Sequence, residues 1–251
     1  LLLGCTVRMA TLTASVTAAI RRIKAANPLI MCITNRVTPQ RVADILLAAG
    51  ASPAMIENPE EVPSFAVISS AVYCNLGLHQ SQIASLAALK DVLREETPPL
   101  VVDPVAYGAT SFRTTQMNDF FARNKVAAIK GNAAEIVTLS GEDGGGKGVD
   151  SDASTLAALQ PAMTLARQRE AIISVSGDTD IIVSADGERA CKVLGDAPMM
   201  AKITGTGCAL GGIVAAGIST SKEDPYIGAV AAHALYTAAA MKSLEMEGTK
   251  G

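Results

Sequence analysis

Three groups of residues have the types and spacing needed to handle a phosphate. Residues 203–217 read ITGTGCALGGIVAAG: Gly205 and Gly207 flank Thr206, Cys208 follows directly, and an apolar run of small residues begins at once. A helix starting there would present unpaired backbone N–H groups and the positive end of its dipole, which suits an anion. Glycine at 205 and 207 would let the backbone approach a phosphate with no Cβ in the way. Asp103 closes PLVVD at the end of an apolar run, where a carboxylate can hold Mg²⁺ through water for phosphoryl transfer. KGNAAEI (130–136) adds a cation at Lys130, an amide at Asn132 and a second carboxylate at Glu135.

Each group also has a structural alternative. The glycines could form a turn with Cys208 as a small packing residue, Asp103 could cap the turn ahead of Pro104, and Asn132 with Glu135 fits a capping box. Convergence favours chemistry: in a parallel sheet Asp103 and Glu135 would share the carboxyl edge, beside an anion-binding helix end. Other motifs carry less. SGEDGGGKG (140–148) spaces Gly141 and Lys147 like a P-loop, but Gly148 stands where a magnesium-binding hydroxyl is needed, so it reads as a surface loop. TGTGC is not a dinucleotide fingerprint, because Leu210 occupies the third glycine's place. His79 and His233 show no triad partner and no G-x-S-x-G is present, so both histidines read as structural or surface residues.

The elements that would position these groups alternate along the chain. Strands are predicted at 28–33, 69–77, 99–104, 126–132 and 171–177, and helices at 38–48, 80–96, 113–123, 132–140 and 153–169. The segment 176–195 breaks the rhythm and predicts an antiparallel hairpin turning at Asp186-Gly187. Two alanine-rich helices follow, at about 205–221 and 225–245. Strands alternating with helices imply an α/β fold with a mostly parallel sheet covered on both faces. No linker or repeat divides residues 1–251, which predicts a single domain.

Composition narrows the class. The chain has 251 residues, 49% hydrophobic and 18% charged, typical of a compact protein. A net charge of −3 with 3% aromatics gives neither the electrostatic footprint nor the stacking platforms for nucleic acid. No apolar run is long enough to cross a bilayer, which excludes a membrane span. The opening LLLGC echoes a lipoprotein cleavage box but has no basic leader before it, so it is not read as a signal. Five scattered cysteines without a C-x-x-C pair predict free thiols in a reducing cytoplasm.

From about Leu29 to Gly217 the chain resembles the hydroxyethylthiazole kinase family, within the ribokinase-like superfamily. CITNRVT (32–38), LLAAGASPAM (46–55), DPVAYGAT (103–110), KGNAAEI, KGVDS (147–151) and TGTGCAL (204–210) carry the likeness in shared order and spacing. The resemblance implies a three-layer α/β/α kinase that phosphorylates the hydroxyl of 4-methyl-5-(2-hydroxyethyl)thiazole with ATP and Mg²⁺. It further implies a homotrimer with thiazole pockets where subunits meet. Carried over by motif, Met55 contacts the thiazole with Asn35 and Val37 lining the pocket, Gly205 touches substrate, and Gly205–Cys208 (with Thr206 and Gly207) forms the anion hole. Asp103 and Glu135 arrange magnesium and its waters, while Lys130, Asn132 and Ser176 fall on the nucleotide side. The nearest alternatives are a hydroxymethylpyrimidine kinase of the same superfamily and a non-catalytic sensor of a thiamine precursor or nucleotide.

Two features depart from that pattern. The family usually has arginine where this chain has Lys130, so charge is kept but the planar two-pronged phosphate contact is lost. The family also commonly continues beyond the last helix, whereas this sequence stops at Gly251 after EMEGTKG. Cys208 takes a position where many ribokinase-like enzymes have aspartate. It could act as a thiolate base, favoured by a helix N-terminus, or only position the alcohol. The second reading is preferred, with TGTGC as a phosphate cradle.

Overall fold

The computed structural model describes residues 2–89, 98–141, 155–195 and 197–246. Eight strands form one sheet: β1 (Leu29–Ile33), β2 (Ser52–Met55), β3 (Ala71–Asn75), β4 (Leu100–Asp103), β5 (Ala128–Asn132), β6 (Ile172–Ser176), β7 (Thr179–Val183) and β8 (Ala190–Leu194). Their order is β2-β1-β3-β4-β5-β6-β7-β8. The first six are parallel, and β7 and β8 each run antiparallel to their neighbour. The central strands β3 and β4 are buried at every residue, as expected of strands covered on both faces.

One face of the sheet carries α3 (Val62–Ile68), α4 (Gln80–Leu89), α5 (Ser111–Arg123), α6 (Ala133–Ser140) and α7 (Leu159–Arg169). Alternate strand residues such as Met31, Val72, Val102 and Ile129 meet Leu89, Met117, Ile136 and Leu165 there. The other face carries α1 (Leu2–Ala26), α2 (Pro39–Ala49), α8 (Thr206–Ser219) and α9 (Pro225–Leu244), with Ile23, Leu46, Val214 and Val230 against Ile30, Tyr73 and Val101. The result is a three-layer α/β/α molecule. Among the described residues no helix is long and apolar enough to cross a membrane.

Most predicted elements are present with trimmed ends. The hairpin forms where expected, with Gly187 at a positive φ of 71°, although β7 also turns back against β6. Three elements escaped the periodicity reading. The strand SPAM is short, contains proline and lies at the sheet edge, where a missing N–H is tolerated. The helix VPSFAVI spans only seven residues, too few for a period to emerge. The third, α1, spans 25 residues and rests on α9. The end of the predicted 80–96 helix and most of the glycine-rich 140–148 stretch lie outside the described residues. Gly141 does end α6 in the left-handed conformation.

The α8–α9 crossing depends on absent side chains. A Cβ on Gly217 would fall on the carbonyl oxygen of Gly228, and one on Gly228 would fall on that of Gly217. The backbones touch, which pulls α8 onto the sheet beneath α9. Replacing Gly217 with alanine is therefore expected to lower stability by about 1–3 kcal/mol through overpacking, despite alanine's better helix propensity. Thermal melting of Gly217→Ala should show a clear fall in midpoint. An unchanged or raised midpoint would contradict the close approach.

Candidate active site

The carboxyl ends of β1, β3, β4 and β5 converge on the first turn of α8. Asp103 ends β4 and is the Cα partner of Asn75, which ends β3. Two residues before the end of β5, Lys130 extends Nζ to 3.4 Å from Asp103 Oδ2. The pair is dry, with side chains 4% and 6% exposed. The same ammonium would lie 3.3 Å from a Cβ on Gly207, so it stands at the mouth of α8. Gly205, the N-cap, adopts φ 89°, and no side chain caps the helix. A Cβ at Gly205 would meet Thr38 Cγ2 at 2.7 Å, so both conformation and space require glycine there. The Thr206 N–H reaches back to the Ile203 carbonyl at 3.4 Å, so the N–H groups of Gly207 and Cys208 are the first-turn donors open to a ligand beside a fixed cation.

Glu135 reaches the cluster differently from the simplest expectation. Its Oε1 accepts from the Ala106 N–H and its Oε2 from the Asn132 N–H, both at 2.8 Å, while Asn132 Oδ1 accepts from the Glu135 N–H. This is a complete capping box at the start of α6, and it also ties down the loop after β4. The structural and electrostatic readings of these residues therefore coexist. Arg113 on α5 braces the same edge, donating to the carbonyls of Leu76, Gly77 and Val105.

The electrostatics follow from one buried carboxylate, Asp103, and a half-buried one, Glu135, facing the Lys130 ammonium. Burial pushes the Asp103 carboxyl up, and Lys130 offsets only part of that. Glu135 is raised by burial and then by the Asp103 charge. Burial pushes the Lys130 ammonium down, but the Asp103 charge and then the Glu135 charge outweigh it, so its pKa stands above the usual lysine value. Each carboxyl binds its proton more tightly here than in the unfolded chain. This pair's effect on stability is therefore best below the ordinary carboxylate range and worsens as pH rises through the raised values. A bound cation would relieve that.

Cys208 sits half-buried in the first turn of α8, and its Sγ accepts from Asn35 Nδ2 at 3.5 Å. The expectation that the helix end would lower its pKa is not met: burial and then the Asp103 charge raise it, outweighing Lys130. Both effects favour the thiol over the thiolate. Thr206 turns its hydroxyl back to the carbonyls of Met200 and Ile203, and its N–H also donates to Ile203 at 3.4 Å. Tyr236 on α9 fixes that peptide by donating to the Thr206 carbonyl at 3.0 Å.

The remaining predicted residues lie around this centre. Asn35 belongs to the bonded cluster through Cys208, and its Oδ1 accepts from the N–H groups of Val37 and Thr38. Val37 is itself 75% exposed, and Met55 is half-buried at the end of the edge strand β2. Ser176 ends β6 as the Cα partner of Asn132, its hydroxyl directed to the Gly131 carbonyl. Sequence reasoning missed Tyr73 and Asn75, both fully buried beneath α8. The available signal was a lone amide in the apolar run AVYCNLG.

The histidines are structural, but His233 does have partners. Its ring joins the Ser174 hydroxyl to Asp180, Nδ1 lying 2.7 Å from Oδ2. The row has the residue types of a hydrolytic triad, yet Ser174 and His233 are fully buried between sheet and α9, where no substrate reaches. His79 bonds Ser81 and the Thr34 carbonyl. Peptide-resolved alkylation by iodoacetamide tests the thiol assignment. Cys208 should react slowly at neutral pH, with half-maximal rate above about 8.5, the ordinary cysteine value. A rate already at its plateau near neutrality would contradict it.

Known proteins share the sequence and fold of this chain. Residues 20–251 match the model of the hydroxyethylthiazole kinase family. The chain is 39% identical over 232 residues to a hydroxyethylthiazole kinase of Acinetobacter baumannii, covering 92% of this chain and 83% of that one. It is 41% identical over 195 residues to one from Klebsiella pneumoniae, covering 77% and 75%. Its structure resembles a hydroxyethylthiazole kinase protein from Pyrococcus horikoshii with TM-score 0.75 and 31% identity, over 86% of this chain and 80% of the other. A Bacillus subtilis pyridoxal kinase solved with ADP shares the fold at TM-score 0.59 and 13% identity, over 81% and 87%. The chain belongs to the hydroxyethylthiazole kinase family.

Proposed function

We propose that this chain transfers the γ-phosphoryl group of ATP to the hydroxyl of 4-methyl-5-(2-hydroxyethyl)thiazole. The observation that carries this reading is the meeting of Lys130 and Asp103 with the uncapped first turn of α8, next to the Asn35–Cys208 pair. The family membership supports the thiazole as acceptor.

Phosphoryl transfer depends on alignment and charge neutralisation more than on covalent help. The backbone turn from Gly205 to Cys208 receives the γ-phosphate, chiefly through the Gly207 and Cys208 N–H groups, and Lys130 neutralises it from below. Lysine acts there as a point charge, without arginine's planar fork. Asn35 and Cys208 hold the alcohol against that phosphate. The alcohol oxygen forms the new bond to phosphorus as the bond to the β–γ bridging oxygen breaks and ADP departs. With Cys208 protonated, the alcohol proton leaves to phosphoryl oxygen or solvent, and the cysteine acts by position. Ser176 and the Asn132 backbone border the nucleotide side.

Asp103 and Glu135 fit a hard cation. They are oxygen donors, Asp103 buried and Glu135 half-buried, and each carboxylate oxygen keeps a lone pair beyond its present bond. Among the described residues no three His, Cys, Asp or Glu side chains converge to chelate a metal. Mg²⁺ held through water and phosphate oxygens, as in phosphoryl transfer generally, suits that donor set. When bound it would supply charge neutralisation to the phosphates. We further assign the pocket to a homotrimer, in which a neighbouring subunit covers Val37 and the edge beside Met55, and the protein to the cytoplasm, in keeping with its free thiols.

ADP release measured with the thiazole alcohol and with hydroxymethylpyrimidine in parallel tests the reading. Mg²⁺-dependent turnover with the thiazole is expected. Turnover with the pyrimidine alone would overturn the pocket assignment, and thiazole binding without turnover would make the chain a sensor.

A further inference from the structure

Asn75 stands at a point no motif reading assigns. It ends β3 with its side chain on the α8 face of the sheet, as Tyr73 is two residues earlier, and both are fully buried. Its Nδ2 donates to the Tyr73 hydroxyl at 3.3 Å, and that hydroxyl donates to the Cys208 carbonyl at 2.6 Å. Its Oδ1 accepts from Asn35 Nδ2 at 2.7 Å, and the same Nδ2 reaches Cys208 Sγ. These four residues close a hydrogen-bonded ring, Asn75–Tyr73–Cys208–Asn35. The ring is anchored on both sides. The Asn75 carbonyl accepts from Gln82 Nε2 at 2.6 Å, and Asn35 Oδ1 fixes the start of the β1–α2 loop at Val37 and Thr38.

The ring joins two parts of the site that lie far apart in sequence. Asn35 to Thr38 belongs to the alcohol side, and Cys208 to the phosphate cradle. Phosphoryl transfer is sensitive to the relative placement of these two parts, and a displacement near 1 Å can cost about 10²-fold in rate. A carboxamide suits the junction because it donates to one neighbour and accepts from the other at the same time, with neither oxygen nor nitrogen left bare. Aspartate would lose the donor to Tyr73 and bring a charge beside Asp103, its neighbour across the strand pair.

We infer that Asn75 is a positioning residue that fixes the alcohol-binding loop and the phosphate cradle in register, acting through Tyr73 and Asn35 on Cys208. This rests on the kinase reading above.

The test compares Asn75→Ala, Tyr73→Phe and the double variant, each checked for folding by its melting transition. Tyr73→Phe keeps the ring that fills the space under Gly211 and removes only the hydroxyl, so it remains informative if Asn75→Ala does not fold. With the thiazole alcohol and Mg-ATP, kcat is expected to fall by about 10–10²-fold in Asn75→Ala and less in Tyr73→Phe, with KM for ATP within about twofold. The double variant should lose less than the two effects combined, because both open the same ring. Cys208 alkylation should change rate in folded Asn75→Ala, where Asn35, the donor to the thiol, loses its acceptor, and in Tyr73→Phe, where the Cys208 carbonyl loses its donor. A kcat within about twofold of the parent in both variants, or strictly independent effects, would overturn the inference. Should the parent phosphorylate neither alcohol, the kinase reading fails by itself. The alkylation rates then still decide the ring: unchanged rates overturn it and altered rates sustain it.

Discussion

Asp103 and Lys130 share a dry space below the start of α8 with the half-buried Glu135 close by, and most of the structure around them follows from that imbalance of charge. Lys130 holds its proton because Asp103 and Glu135 face it, yet it cannot satisfy both. The uncapped first turn of α8 adds further positive potential from backbone dipoles, which draws anions and leaves the carboxylates seeking a cation. A phosphate with its own divalent ion answers both needs at once. This charge balance is what supports the proposal above that the site takes a metal-bound polyphosphate. Glu135 also shows that a capping residue can contribute to such a field, because its two backbone bonds fix the charge without consuming it.

Bringing a helix end this close to a sheet edge places demands on the chain well away from the site. Gly211 lies over the Tyr73 ring, Gly212 over Leu46, and Gly217 against Gly228, so α8 fits tightly between the sheet, α2 and α9. Side chains at those points would lift the helix and move its N–H groups away from Lys130. Tyr236 and Tyr73 then hold the Thr206 and Cys208 carbonyls from opposite sides of the same turn. The cradle is rigid because several elements grip one helix turn. His233, locked to Ser174 and Asp180, joins α9 to β6 and β7 behind it, which gives a buried triad-like row a supporting place in the architecture.

Much of this was legible in the residue order, for definite physical reasons. Buried parallel strands require apolar runs, and ligands of such sheets gather at the carboxyl edge, so Asp103, Lys130 and the TGTGC turn could be brought together before any coordinates. Glu135 could be placed but its bonding could not, since a capping box and a charged site have the same spelling. The thiol of Cys208 was open to misreading, because helix-end position argues for a thiolate while burial beside Asp103 argues against one, and burial is a tertiary fact. Asn75 and Tyr73 look like ordinary strand residues until the crossing of α8 shows what they touch. The edge strand β2 and the short α3 carry too few residues for a period to register.

The central claim is that Lys130, Asp103 and the α8 N-terminus act together as one phosphate cradle. Isothermal titration of ATP in the presence of Mg²⁺, into the parent protein and Lys130→Met, addresses it most directly. Losing the cation that faces both carboxylates and the helix mouth should weaken ATP binding by about tenfold or more, as expected for a buried charge-assisted contact. Equal affinity in a folded Lys130→Met variant would show that the ammonium serves only Asp103, and the cradle would have to be assigned elsewhere.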